Sequence, residues 1–286
     1  MASNLISQAL IESVLSAVEQ AGQAILEVDR GRASGSQGWP EMKSDGSPVT
    51  QADRMAHSAL LASLSRLQPH WPVVSEEDEA SWPFRKDTGT FWLIDPLDGT
   101  REFIARNGEF TVNVALIQDG QAVLGVVGVP MQQTLYWGGL GLGAWMQTGD
   151  EGQSARTSLT WDQHERRPPG DSALRVMVSR SHLDADTRAF LDALGQSRSL
   201  STLDAGSSLK FCRLAQGKAD LYPRFAPTHE WDTAAAQAVL EGAGGLVVDR
   251  SGQRLRYGKA ESLNPGFLAL RSPELLDRDI TALMQQ

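Results

Sequence analysis

The chain has 286 residues, 41% of them hydrophobic, and a formal net charge of −9. That is enough apolar material for one large core or two closely packed ones, and the negative balance excludes general nucleic-acid binding, which draws most of its affinity from basic surface. Cys212 is the one cysteine, so an internal disulfide is ruled out and a reducing compartment fits; no basic secretory n-region follows Met1, and no apolar run reaches membrane-spanning length.

In chain order, residues from about 4 to 28 predict an amphipathic helix with Ile11, Val14, Leu15, Val18, Ala21 and Ile25 on its core stripe. Gly31 to Ser47 reads as a long Gly/Ser/Pro-rich loop whose Lys43 and Asp45 suggest closure over a ligand. A helix from Thr50 to about Leu67 and a strand from Trp71 to Ser75 lead into Glu76-Glu77-Asp78-Glu79. The apolar run Phe91–Ile94 is a strand, and Thr111–Ile117 with Val123–Val129 is a hairpin turning at Asp119-Gly120. Leu135–Trp137 and Ala144–Met146 extend the same antiparallel sheet. Periodicity is lost from about 150 to 172, which marks a boundary between an N-terminal α+β domain (1–165) and a C-terminal α/β domain (166–286). Beyond it, strands at 175–178, 220–222, 246–248 and 267–270 alternate with helices at 185–194, 208–215 and 233–241, and a helix from Pro273 to Met284 closes the chain. An antiparallel half followed by an α/β half implies layered sheets and helices.

Asp95-Pro96-Leu97-Asp98-Gly99-Thr100 carries the most chemical information. Two carboxylates three residues apart, delivered by a strand end and stiffened by proline, form an acidic mouth of the kind that hard cations such as Mg²⁺ bind. Gly99 lets the backbone approach a bound group, and Thr100 adds a hydroxyl. An ordinary ligand-free turn uses the same residue types. A haloacid-dehalogenase-type phosphatase would place its second Asp two residues after the first, and an EF-hand needs ligands at alternate positions and a Glu at the twelfth. The spacing of three therefore favours a metal pair over a phospho-aspartate. Glu76, at a strand exit, is the next candidate ligand, against a solvated acidic run. Asp232 opens an Ala-rich helix after His229-Glu230-Trp231, where a plain N-cap competes; Asp53 ends Thr50-Gln51-Ala52-Asp53, which also reads as a capping box.

These residues together resemble a known family. The 95–100 motif, Ser75-Glu76-Glu77 and Trp231-Asp232-Thr233-Ala234-Ala235 are similar to three signatures of the inositol monophosphatase superfamily. Ser179-Arg180-Ser181-His182, Gly206 to Cys212, Leu221 to Phe225, Leu263 to Phe267 and Arg101 to Asn113 resemble its bacterial 3′(2′),5′-bisphosphate nucleotidases. The resemblance runs from the first helix to Phe267. It implies an α+β / α/β layered fold (an αβαβα sandwich of the sugar-phosphatase type) and a Mg²⁺-dependent phosphomonoesterase with two or three ions, inhibited by Li⁺ and Ca²⁺. Metal ligands would be Glu76, Asp95, Asp98, Asp232 and the Leu97 carbonyl, with Asp53 and Thr100 activating the attacking water.

The resemblance further implies that backbone amides near Gly99 and Thr100 hold the phosphate. Ser179, His182, Gly206, Lys210 and Arg224 would hold the nucleotide and its second phosphate, with Ser207 and Ser208 beside that pocket. Glu76, Leu97, Asp98, Gly99, Thr100, Ser208 and Asp232 would also touch substrate. The implied substrate is adenosine 3′,5′-bisphosphate, cleaved to AMP, with 3′-phosphoadenylyl sulfate as a further substrate and a role in sulfate assimilation. An inositol or sugar monophosphatase is the alternative. The enzyme would be cytoplasmic, with peripheral attachment to the inner membrane left open, and a monomer or homodimer without a transmembrane segment. Two departures stand out: Ala236 where the family has Gly, and His229-Glu230 where neutral residues are commoner. Glu230 is expected to add negative charge near the pocket and weaken a doubly phosphorylated ligand.

Overall fold

The computed structural model describes residues 6–33, 41–43, 46, 48–149, 155–159, 173–180 and 183–285. Helices α1 (Gln8–Ala33) and α2 (Gln51–Leu64) enclose a two-stranded ribbon of β1 (Glu41–Met42) and β2 (Pro48–Val49). A seven-stranded sheet then runs in sequence order through β3 (Val73–Ser75), β4 (Thr90–Asp98), β5 (Thr111–Gln118), β6 (Gln121–Val129), β7 (Thr134–Gly139), β8 (Gly143–Thr148) and β9 (Ala155–Ser158). Short helices α3 (Phe84–Asp87) and α4 (Thr100–Ile104) lie in its connections; β3 is parallel to β4 and the other pairs are antiparallel.

The C-terminal part contributes β10 (Leu174–Ser179), α5 (Ala185–Ser197), β11 (Leu200–Ala205), α6 (Leu209–Ala215), β12 (Leu221–Arg224), α7 (Glu230–Gly242), β13 (Leu246–Asp249), β14 (Phe267–Leu270) and α8 (Arg278–Met284). Its five strands are ordered β11-β10-β12-β14-β13.

Strand alternation explains the layers. In β4, Trp92 and Ile94 join Val112, Val114, Leu124 and Val126 against Val14, Val18 and Ile25 of α1 and Ala56 and Leu60 of α2. Phe91 and Leu93 point the other way and join Phe211 of α6 and Ala235 and Val239 of α7, because successive strand residues face opposite sides. Tyr222, Val247, Phe267 and Ala269 of the second sheet close on the same central core. Their neighbours Leu221, Val248, Leu268 and Leu270 face Phe190 and Leu194 of α5 and Ile280 and Met284 of α8. The order is α1/α2, sheet, α6/α7, sheet, α5/α8, the αβαβα sandwich that the family resemblance implied.

Helix α7 is buried nearly all round, as a helix between two sheets must be. Its alanines let it sit close to β6, and Gly125 completes the fit: a Cβ there would lie 2.0 Å from the Ala235 carbonyl oxygen. Ala236, the residue that departs from the family pattern, is 1% exposed in this same packed surface and away from the acidic mouth.

Several elements differ from expectation. α1 continues to Ala33 because helix-forming residues outweigh the single Gly31. The hairpin strands reach their turn at both ends, since Asp119 and Gly120 take φ of +50° and +77°, the pair of positive values that matches strand twist. The last helix is broken: Pro273–Leu275 forms a 3₁₀ turn, and Asp277, accepting from the Ile280 amide at 3.0 Å, starts α8 anew. β11 carries no apolar alternation and is an exposed edge strand. The expected boundary at 165/166 lies outside the described residues.

Two glycines of opposite environment test this packing. Gly125→Ala should cost stability at the upper end of the roughly 1–3 kcal/mol typical of overpacking. Gly195→Ala, in α5 with its nearest neighbour 3.7 Å from a new Cβ, should gain about 0.5–1 kcal/mol. Urea midpoints of the two variants should move in opposite directions.

Candidate active site

Asp95 and Asp98 are three apart, a spacing that would put them on opposite faces of a regular strand. They reach one mouth because β4 is irregular there: Asp95 pairs with Asn113 and Asp98 with Thr111, so two residues on β4 oppose one on β5. Pro96, which has no amide hydrogen to give the ladder, occupies the bulge. Gly99 then turns the chain at φ +91° into α4, where a side chain would meet Glu102 Oε2 at 3.2 Å and Phe110 Cα at 3.4 Å. Glu76 leaves the parallel neighbour β3, its amide donating to the Ile94 carbonyl. Asp232 comes from the first turn of α7. One carboxylate oxygen each from Glu76, Asp95 and Asp232 lies within 4.8 Å of the others.

Each of the three aspartates of the mouth is tethered to a backbone amide through one oxygen. Asp95 Oδ1 accepts from the Leu97 amide at 3.0 Å, Asp98 Oδ2 from the Ser208 amide at 2.5 Å, and Asp232 Oδ2 from the His229 amide at 2.7 Å. Asp53 follows the same rule. Its Oδ2 accepts from the Thr50 amide (2.7 Å) and hydroxyl (2.6 Å), completing the capping box of α2, while Oδ1 accepts from the Thr100 hydroxyl at 3.0 Å. The capping and catalytic readings of Asp53 are thus satisfied by different oxygens; Asp232 is the third residue of α7 rather than its N-cap, which is His229, and its capping-box bond through Oδ2 likewise leaves Oδ1 for the site.

The mouth opens into a cavity of about 640 Å³ that contains Glu76, Asp95, Leu97, Asp98, Gly99, Thr100 and Asp232 at one end. Ser179, Gly206, Ser207, Ser208, Lys210 and Arg224 line the same cavity, as do Trp82, Thr228, His229 and Trp231. His182 and Asp45 fall outside the described residues. A cleft of about 710 Å³ between α1 and residues 128–135 shares none of these groups and is lined largely by glutamines and small residues. Lys43, reached by the β1–β2 ribbon, lines the active cavity and donates to Glu76 Oε1 at 2.8 Å and Glu77 Oε1 at 2.7 Å.

Electrostatics suit the cluster to a cation. Burial, then the neighbouring carboxylates, hold Asp95 and Asp232 well above the usual carboxylate range; burial also raises Glu76, against Lys43. Burial raises Asp98, although Lys210 and the Ser208 amide oppose it. Asp53 is raised by burial, against its Thr50 bonds. Lys210 is pushed down to about 8 by burial, partly offset by Asp98, and donates to the Ser207 and Ala205 carbonyls at 2.6 and 3.3 Å. Hard oxygen donors crowded at this density suit a divalent cation, whose charge would remove their mutual repulsion. The donor set therefore fits Mg²⁺.

The expectation for Glu230 is overturned. Its side chain is fully buried and does not line the cavity; it accepts from Arg85 Nη1 at 3.1 Å and from Lys259 Nζ at 2.7 Å. Two cations neutralise it, so it adds no uncompensated charge toward a phosphorylated ligand. Sequence reading missed these partners, along with Trp82 and Thr228, because no motif links such distant positions.

Comparison with known proteins agrees with this geometry. The model of the inositol monophosphatase family matches residues 8–284. The chain is 44% identical over 259 residues to the 3′(2′),5′-bisphosphate nucleotidase CysQ of Salmonella typhimurium, covering 90% of this chain and 98% of that protein. The crystal structure of CysQ from Bacteroides thetaiotaomicron superposes with a TM-score of 0.78 at 38% identity, covering 93% and 98% of the two chains. The suhB extragenic suppressor protein of Bartonella henselae shares the fold, with a TM-score of 0.73 at 20% identity and 98% and 99% coverage. From its whole-length family match and its site, the chain belongs to the inositol monophosphatase family.

Proposed function

We propose that this chain is a Mg²⁺-dependent phosphomonoesterase that hydrolyses the 3′-phosphate of adenosine 3′,5′-bisphosphate to give AMP and phosphate. The observation that carries the reading is that Thr100 lines the same cavity as the Glu76–Asp95–Asp232 cluster and donates its hydroxyl to the buried Asp53 behind it. Two or three Mg²⁺ ions, held by Glu76, Asp95, Asp98, Asp232 and the Leu97 carbonyl, would supply acidification of water and neutralisation of the transferring phosphoryl group. Thr100 accepts the proton of the attacking water at Oγ1 as its own hydrogen passes to Asp53 Oδ1, a general-base relay whose acceptor is made more basic by burial. The amides of Gly99 and Thr100, at the start of α4, orient the phosphate.

Lys210 and Arg224 place two buried cations at the cavity wall, and we assign them to the second phosphate, with Ser179, His182, Gly206 and Ser208 around the nucleotide. This pairing of cationic groups with a separate acidic end suits a doubly phosphorylated ligand better than a neutral polyol. We extend the proposal to 3′-phosphoadenylyl sulfate as a second substrate, to inhibition by Li⁺ and Ca²⁺, and to clearance of the nucleotide by-product of sulfate assimilation in the cytoplasm. Among the described residues no helix is long and apolar enough to cross a membrane.

Phosphate release with Mg²⁺ tests the substrate directly. Adenosine 3′,5′-bisphosphate should be turned over in strong preference to 3′-AMP and inositol 1-phosphate, and Li⁺ should suppress it; equal turnover of the monophosphates would overturn the nucleotidase reading while keeping the metal mechanism. Asp53→Asn and Thr100→Val should each lower kcat by about 10²–10⁴-fold, with equilibrium binding of the bisphosphate largely retained. Equal loss of binding and turnover would remove the relay assignment.

The pH dependence follows from the raised carboxylates. In the metal-free protein Glu76, Asp95, Asp98 and Asp232 bind protons more tightly folded than unfolded, so the native state holds more protons and stability falls as pH rises. The fall begins at the unfolded carboxylate value of about 4 and ends once pH passes the raised folded values. Thermal melts of the metal-free protein should show this decline, and saturating Mg²⁺ should flatten it. A stability that rises with pH across that window would contradict the assignment.

A further inference from the structure

Asp232 and Glu230 sit two residues apart in the first turn of α7, so at 3.6 residues per turn they leave the helix on nearly opposite sides. Asp232 faces the acidic cluster, where Glu76 and Asp98 repel it. Glu230 faces away, and every acceptor direction of its carboxylate is used. Oε1 accepts from the Lys259 amide at 2.9 Å and Lys259 Nζ at 2.7 Å; Oε2 accepts from the Gly258 amide and Arg85 Nη1, both at 3.1 Å. The same loop grips the backbone beside it. The Glu230 amide donates to the Ser262 carbonyl at 2.8 Å, and Asn264 Nδ2 donates to the His229 carbonyl at 2.7 Å and to Thr233 Oγ1 at 3.0 Å. Lys259 joins the two grips, since its Nζ also donates to Asn264 Oδ1 at 3.1 Å.

We infer that Glu230 and Asn264 are positioning residues for the metal site, forming a latch from residues 258–264 that holds the first turn of α7, and with it Asp232, against the repulsion of the other carboxylates. The inference rests on the metal reading proposed above. The latch acts through the His229 amide, which fixes Asp232 Oδ2; His229 is itself held by Asn264 at its carbonyl and by Ser262 Oγ, 2.8 Å from its Nδ1. Arg85 ties the same carboxylate to α3, on the connection between β3 and β4 that follows Glu76 and precedes Asp95. One buried anion therefore braces the helix that supplies one acidic ligand against the segment that joins the strands supplying the other three. Loosening it removes none of the four acids but lets Asp232 retreat from the other three.

Binding of Mn²⁺ alone, followed by loss of the free-ion electron paramagnetic resonance signal, tests this without reference to turnover. Wild type should bind, and Glu230→Gln should weaken binding by about 10–100-fold, the range typical of residues that orient metal ligands. Asn264→Ala should shift affinity in the same direction. In phosphate-release assays both variants should need more Mg²⁺, recover kcat toward wild type at saturating metal, and keep the wild-type KM for the bisphosphate. Folded variants, by near-ultraviolet circular dichroism, that bind Mn²⁺ as wild type does would overturn the latch. Should Glu230→Gln fail to fold, Asn264→Ala decides alone, weaker Mn²⁺ binding sustaining the latch and unchanged binding overturning it. Absence of Mn²⁺ binding by wild type would instead remove the metal reading and the latch with it.

Discussion

The constraint on which the site depends is repulsion among crowded carboxylates. Glu76, Asp95, Asp98 and Asp232 converge on one cavity, where Asp95 is buried and the other three are half-buried, and the loss of surrounding water weakens the screening between them. For the three aspartates the fold's answer is uniform: one oxygen is bonded to a backbone amide, two or three residues away for Asp95 and Asp232, and on the Ser208 loop for Asp98. A carboxylate fixed this way keeps one oxygen for the site and cannot rotate away from its neighbours without breaking a short hydrogen bond.

The architecture serves the same end. Glu76, Asp95 and Asp98 belong to the first sheet, Asp232 to the helix packed between the two sheets, and Lys210 and Arg224 to α6 and β12. The site is completed only when α7 seats on β6, an approach so close that Gly125 has no room for a side chain. Packing density in the central layer is therefore part of the geometry of the mouth, and Lys210 of α6 reaches the mouth from that same layer.

What the sequence made legible was whatever is encoded locally. The pleat of β4 to β7, the Asp119-Gly120 turn and the amphipathic face of α1 follow from periodicity and turn chemistry, and the layered architecture follows from their order. Asp95 and Asp98 could be named from their motif, but not the bulge that brings them to one side, because register is a property of two strands. Glu230 was misjudged because its charge is cancelled by Arg85 and Lys259, remote in sequence. The edge strand β11 escaped notice since its exposed residues need no alternation. Lys43 was noticed within its loop, whereas its two acidic partners became evident only in three dimensions.

The spread of the ligands along the chain has a consequence for how the protein matures. Asp95 and Asp232 meet only after most of the polypeptide has been made and the middle layer has closed, so no partly synthesised chain can offer the complete pocket to an ion. On the metal reading proposed above, ion capture would then be a late event in biogenesis. It would reward only the finished topology, pulling the last equilibrium toward the native chain by mass action without steering the earlier steps that build each sheet.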